Sequence, residues 1–590
     1  IATAIHTLGG TAVGSVECSV LSQATGLPLP GAEINAYVEV GSIYLQMQTD
    51  DGITVRWRTD LATDSVVRYG ATPGSLDQSV TVTGTRTEHE VALTGLGAGT
   101  TWYYSVGDSG GPVAGDSSYF FSTAPHRGLA ADARIWVLGD SGTANADARA
   151  VRDAYKAWTA SDPADVVLML GDNAYNDGTD AEYQAAVFNT YPEILRQLPL
   201  FSTLGNHDGH SADSATQSGP YYDILSLPAA GEIGGLASGT EAYYSFDFAN
   251  IHFVCLDSYE TDRSPGGSML TWLENDLALN TQPWVVAFWH HPPYTKGSHN
   301  SDTEGRLIDM REDALPILEN WGVDLVLSGH SHSYERSYLL DGHYGHSSTL
   351  DPVANVLDPG DGRDGGDGAY DKPDLIAAAH WGAVYAVAGS SGKVSGGSLD
   401  HPAMFVSLAS LGSLILDVVG NRMDATFLDD NGTVRDTFTI LKSPDSEPPL
   451  LTGAAAPDDT HVLVDFNEAL DAMEATDSGN YVIAGLSVFA AELLPDDRTV
   501  RLTTSPMTSG SSYTLQVSNV QDLALNTIVP GSEIGFEYFE VVTLAFQDGI
   551  APDPAYAGTR DSYLREASAT TNYGGAASLQ VDGSEPSGSV

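Results

Sequence analysis

The chain has 590 residues, 42% hydrophobic and 17% charged, a composition ordinary for folded protein at a length that calls for several domains. Asp and Glu number 78 against 25 Lys and Arg, and the formal net charge of −53 sets aside nucleic-acid binding through a basic face. A Debye length of about 8 Å at physiological salt screens such acidity only partly. It fits either a saline, divalent-rich exterior or a secreted protein kept soluble by charge.

Residues 1–43, rich in Gly, Ala and Thr, receive no role. The chain starts at Ile1 without a charged-then-apolar leader, so a mature or trimmed product is expected and secretion is an indirect inference. Residues 44–124 carry short alternating segments at 53–59, 65–70, 89–93 and 100–106 between Gly-rich turns, which predicts an all-β sandwich. Its run Leu93-Thr94-Gly95-Leu96, then Gly99-Thr100-Thr101-Trp102-Tyr103, resembles the late strands of a fibronectin type III module.

From 130 to 442 strands alternate with helices. Apolar strands are expected at 135–138, 166–170, 200–204, 284–288 and 323–327. A helix is expected over 147–160, with Ala148, Val151, Tyr155 and Trp158 on its apolar stripe. Cys255 sits in the apolar run 251–256 and reads as a small buried hydrophobe, with a bridge to Cys18 left open. A Pro-rich linker spans 443–449, and residues 450–541 return to alternating strands that resemble a bacterial immunoglobulin-like module. Within 542–590, Asp561-Ser562-Tyr563-Leu564-Arg565-Glu566 resembles the start of a β-sandwich module found on secreted and polysaccharide-associated proteins. Polysaccharide or cell-surface contact is therefore expected there, with the natural chain continuing past Val590. No apolar run approaches the roughly 20 residues a bilayer span needs.

The chemistry lies in five motifs, each just past the carboxyl end of an expected strand, where open α/β sheets hold their ligands. They are Gly139-Asp140-Ser141-Gly142, Gly171-Asp172-Asn173-Ala174-Tyr175, Gly205-Asn206-His207-Asp208, Trp289-His290-His291-Pro292 and Gly329-His330-Ser331-His332. Together they offer carboxylate, phenol, amide and imidazole donors enough for two metal ions. Asp172 at a rigid strand end suits a carboxylate that bridges two cations, and the glycine before it lets the backbone turn closely. A phenolate from Tyr175 favours a hard trivalent ion, because a phenol near pKa 10 ionises only beside strong positive charge.

These motifs resemble those of purple acid phosphatases within the calcineurin-like metallophosphoesterases, over roughly residues 44–441. The resemblance implies a multidomain protein: an α/β metallophosphoesterase sandwich of two β-sheets flanked by helices, between all-β sandwich domains. It implies that Asp140, Tyr175 and His332 hold Fe(III), that Asn206, His290 and His330 hold a divalent ion (Zn, Mn or Fe), and that Asp172 bridges them. His290 is preferred to its neighbour His291 because His-x-Pro-x-Tyr then aligns with the family pattern, although Ala287 replaces the family's valine upstream.

His207 resembles the family's phosphate-orienting histidine, and His299 the one that protonates the leaving group. Asp208 and Tyr294 are candidate supports for the ligands. The loop 358–368 could take structural calcium, but its spacing is not that of an EF-hand and a solvated insertion is preferred. The expected activity is that of a secreted or cell-surface phosphatase. Water activated between the cations would attack phosphate monoesters in line. The alternatives are a nucleotidase or phosphodiesterase using the same site, or a surface or matrix protein carrying a secondary phosphatase domain.

Overall fold

The computed structural model describes residues 40–539 apart from 161, 373–376, 378, 443–447, 468–469, 495–497 and 523–525. Cys18, with the bridge left open to it, and the expected module at 542–590 lie outside the described residues.

The first region is one six-stranded sheet, its main path running Val40–Gln46, Ile53–Gly70, Thr101–Asp108, Gly111–Ala114. Gln78–Leu93 pairs with the second of these strands and Phe120–Ser122 with the third. The segments expected as two strands at 53–59 and 65–70 are a single strand of 18 residues. Two register shifts against Gln78–Leu93, between Arg58 and Ser65, let the strand bend without losing its partner. Trp57, Val67, Val91, Tyr104 and Phe121 fill the core that this bending encloses. The sheet docks on the next domain: Tyr44 Oη donates to Ile224 O at 2.6 Å, and Arg56 Nη2 to Asp223 O at 2.7 Å.

The central domain packs two seven-stranded sheets around one continuous core. One contains Ala133–Leu138, Val166–Met169 and Leu200–Ser202 as parallel neighbours. The other contains Ile251–Cys255, Trp284–Trp289, Leu325–Ser328 and Val384–Ala388, also parallel. Every residue of Val166–Met169, Trp284–Trp289 and Leu325–Ser328 is buried, as expected of strands covered on both faces. Cys255 is a buried free thiol inside the second sheet.

The helix expected over 147–160 runs Ala146–Trp158, its amino end capped by Asn145, whose side chain accepts from Ala148 N. Trp158 departs from expectation: at the carboxyl end of the helix it is 50% exposed, and Ala154 joins Ala148, Val151 and Tyr155 on the buried stripe.

After residue 450 a four-stranded and a three-stranded antiparallel sheet enclose a separate core that includes Val462, Leu502, Leu515 and Phe536. The architecture is thus an α/β core of two sheets with helices, flanked in sequence by β-sheet-rich regions. Among the described residues no helix is long and apolar enough to cross a membrane.

Candidate metal centre

Asp140 and Asp172 both have left-handed backbone, with φ of 54° and 52°, just beyond their strands. Such strain in non-glycine residues persists only where the surroundings enforce it, and the two carboxylates face imidazoles, Asp140 that of His332 and Asp172 that of His290. The glycines beside them are forced by close approach. A Cβ on Gly171 would stand 2.6 Å from His290 Nδ1, and one on Gly205 would stand 2.0 Å from Asp172 N.

All seven candidate ligands meet in one place. Tyr175 Oη donates to Asp140 Oδ1 at 2.8 Å and lies 3.4 Å from His332 Nε2, which is itself 3.3 Å from Asp140 Oδ1. His290 Nε2 lies 3.1 Å from Asn206 Oδ1, 3.4 Å from Asp172 Oδ1 and 3.2 Å from His330 Nδ1. The first set comprises Asp140, Tyr175 and His332, and the second Asn206, His290 and His330. Asp140, Asp172 and His290 also form a buried group whose donor atoms are close enough to share an ion.

Each imidazole has one nitrogen engaged by the protein and the other turned to the centre. His290 Nδ1 donates to Leu170 O at 2.8 Å, and His332 Nδ1 lies 2.7 Å from Ser395 Oγ. His330 Nε2 faces Glu304 Oε2 at 3.5 Å. Fixing one nitrogen sets the tautomer and ring orientation that a metal requires.

The charges fit cations. Burial penalises ionised Asp140, yet its hydrogen bond with His332 and the nearby His290 and His330 imidazoles hold its carboxyl well below the usual range. Burial, then the Asp140 and Asp172 carboxylates, push the Tyr175 phenol well above its ordinary pKa. A phenol kept neutral between carboxylates is a ligand that strong local positive charge would ionise. The buried carboxylates and imidazoles gathered here can hold metal ions.

The other expected residues fall as follows. His207 Nδ1 donates to Asn176 O at 2.6 Å, while its Nε2 stands 3.8 Å from Asp172 Oδ2. His299 stacks on His330 with centroids 3.7 Å apart, and its Nδ1 is 2.9 Å from Glu304 Oε2. His291 Nδ1 lies 2.9 Å from Ser258 Oγ, although its ring borders His330.

Asp208 is wholly buried and ties the oxygen-bearing loops together. It accepts from Gly205 N at 2.9 Å, from Asn173 N at 3.1 Å and from Asn173 Nδ2 at 2.9 Å. Burial and the neighbouring Asp172 raise its pKa to about 6 against those hydrogen bonds.

Tyr294, expected to support a ligand, instead donates its hydroxyl to His343 O and packs edge-on to Tyr385. The strand end carries it past the centre into the core. In the loop 358–368, Asp361 and Asp367 accept from each other's backbone N–H groups, and Arg363 reaches across to Asp436. No metal-holding group is found there among the described residues.

Two residues of the site had no signal in the sequence. Glu304 lies in an ordinary Thr-Glu-Gly stretch, yet it binds both His299 and His330. Ser395 is brought to His332 across 63 positions by a Gly- and Ser-rich loop. That loop also carries Lys393, whose Nζ sits 4.2 Å over the Tyr175 ring.

The buried His and Asp groups able to hold a metal, together with a calcineurin-like phosphoesterase match, define the protein as an enzyme, a metal-dependent hydrolase of phosphoric esters. Residues 133–334 match the calcineurin-like phosphoesterase model, and residues 40–123 match the model of the purple acid phosphatase N-terminal domain. The likeness to purple acid phosphatases is of moderate identity. Arabidopsis thaliana purple acid phosphatase 22 is 28% identical over 357 residues, covering 56% of this chain and 74% of its own length. Mouse acid phosphatase type 7 is 27% identical, covering 46% of this chain and 62% of its own. A purple acid phosphatase from yellow lupin (Lupinus luteus) seeds shares the fold at a TM-score of 0.52 and 19% identity, over 68% of this chain and 74% of that one.

Proposed function

We propose that this is a secreted phosphomonoesterase of purple acid phosphatase type, with Fe(III) on Asp140, Tyr175 and His332 and a divalent ion on Asn206, His290 and His330. Asp172 lies between the two sets and is read as the bridge. One observation carries the reading: seven donor side chains from loops distant in sequence converge, with neighbouring donor atoms 2.8 to 3.4 Å apart. When bound, the two cations would supply Lewis-acid charge and a lowered pKa for water.

The chain's own groups do the rest. His207 donates its Nδ1 proton to Asn176 O, and with a second hydrogen on Nε2 the ring would donate from that nitrogen to a phosphoryl oxygen. His299 is held by Glu304 beside His330, where an imidazole can give a proton to the leaving alcohol.

A second reading, in which nucleotides or diesters are the substrates of the same site, is favoured by one feature. A cleft of about 420 Å³ opens beside Asn206 and His330, large enough for a sizeable leaving group. Assays of a simple monoester, a diester, a nucleotide and phytate side by side decide between the readings. Metal analysis with a visible spectrum tests the centre itself. Iron(III) on Tyr175 gives pink to violet charge transfer, and a colourless, fully metallated enzyme overturns that assignment.

A further inference from the structure

The cleft beside Asn206 and His330 is also lined by Tyr259, His291, Glu304 and Arg306. Tyr259 is wedged against the loop that holds Asn206: a Cβ on Gly209 would stand 2.1 Å from its Cε1. On the ring lies the Arg306 guanidinium, 4.4 Å from the centroid, with Nε donating to Tyr259 O at 2.8 Å. The stack and the hydrogen bond fix the guanidinium plane beside the metal-ligand loop.

Its two terminal nitrogens meet no carboxylate within ion-pair distance among the described residues, though Glu304 lines the same cleft. Glu304 is committed instead to His299, His330 and Asn300 N. In a chain with 78 acidic and 25 basic residues, a preorganised guanidinium without an acidic partner, facing a cleft beside the reaction centre, is chemistry held for an anion.

We propose that Arg306, held by Tyr259, binds a second phosphate on the leaving group, so that the enzyme favours esters carrying two phosphates over otherwise identical monophosphates. This rests on the phosphatase reading above and deepens it. Arg306 is a specificity residue, remote from the atoms that react, and the guanidinium fork matches a phosphate in two-point contact.

The test uses the metal-loaded full chain with glucose 1,6-bisphosphate and glucose 6-phosphate as a matched pair. Wild type should show the higher kcat/KM on the bisphosphate. Arg306→Gln should lower the bisphosphate-to-monophosphate ratio at least tenfold, mainly through KM, and Arg306→Lys should restore part of it. Inhibition supplies a second readout: pyrophosphate should bind more tightly than orthophosphate to wild type, and that advantage should vanish in Arg306→Gln. A wild-type ratio near one, or a ratio unmoved by Arg306→Gln, overturns the proposal while leaving phosphatase activity standing. Failure of the metal-loaded wild type on these esters and on the simple monoester, diester, nucleotide and phytate alike overturns the phosphatase reading itself.

Discussion

The two sheets of the central domain supply different atoms to the same centre. The loops after Ala133–Leu138, Val166–Met169 and Leu200–Ser202 contribute Asp140, Asp172, Tyr175 and Asn206, all oxygen donors. The loops after Trp284–Trp289 and Leu325–Ser328 contribute His290, His330 and His332, all nitrogen donors. The means of positioning differ as well. The oxygen side is shaped by backbone, through left-handed aspartates, close-packed glycines and the buried Asp208. The nitrogen side shares one such feature, the left-handed backbone of His330, but in addition each ring has a partner for one nitrogen: Leu170 O, Ser395 Oγ or the Glu304 carboxylate. A carboxylate has equivalent oxygens and needs only to be aimed, whereas an imidazole must also be fixed in its tautomer.

The largest break in this scheme should come from Asp172, which touches both halves. Asp172→Ala is expected to lower kcat/KM about a thousandfold or more, with loss of metal measurable by elemental analysis. Next comes Asp208→Asn, which disturbs the oxygen side without removing a ligand. A loss of between about tenfold and a hundredfold in activity or metal affinity is expected, read by titrating metal into stripped protein.

On the nitrogen side, Ser395→Ala frees the His332 ring. It should cost about tenfold in metal affinity while leaving the fold intact by circular dichroism. The adjacent histidines give a sharper contrast: His290→Asn should lose one ion per chain, whereas His291→Asn, which removes a partner of Ser258, should keep both.

The last effect is on stability and leaves the centre itself untouched: it concerns His252 on Ile251–Cys255, the second strand of the nitrogen-bearing sheet. His252 Nδ1 donates to Asp247 Oδ1 at 2.7 Å and Nε2 to Asp276 Oδ2 at 2.9 Å. Burial opposes its charge, but the two aspartates raise its pKa from 6.5 to about 10. A histidine pKa raised on folding stabilises fully below the unfolded value of 6.5 and is lost as pH climbs toward 10. Thermal melts from pH 6 to 10 should therefore fall in wild type and flatten in His252→Gln.

Much of the centre was readable in the residues themselves, for a physical reason. A carboxylate or imidazole at the end of a buried strand, beside a glycine, is a local pattern, and five such patterns in order limit the chemistry. The apolar strands expected at 166–170, 284–288 and 323–327 were equally plain, and they form at Val166–Met169, Trp284–Trp289 and Leu325–Ser328, because strands covered on both faces must be apolar along their length. Trp158 and the bent strand Ile53–Gly70 were misread, because exposure at a helix end and a bend that keeps its partner depend on what lies opposite.

Sequence alone thus determined the kind of atoms available and the strand ends that carry them. Tertiary structure decided which nitrogen of each histidine faces the centre, that Glu304 and Ser395 hold two of those rings, and that Tyr294 turns away. It also placed Arg306 on Tyr259 at the mouth of the cleft. These are contacts between residues far apart in the chain, set by how two sheets pack, and no local pattern of residues encodes them.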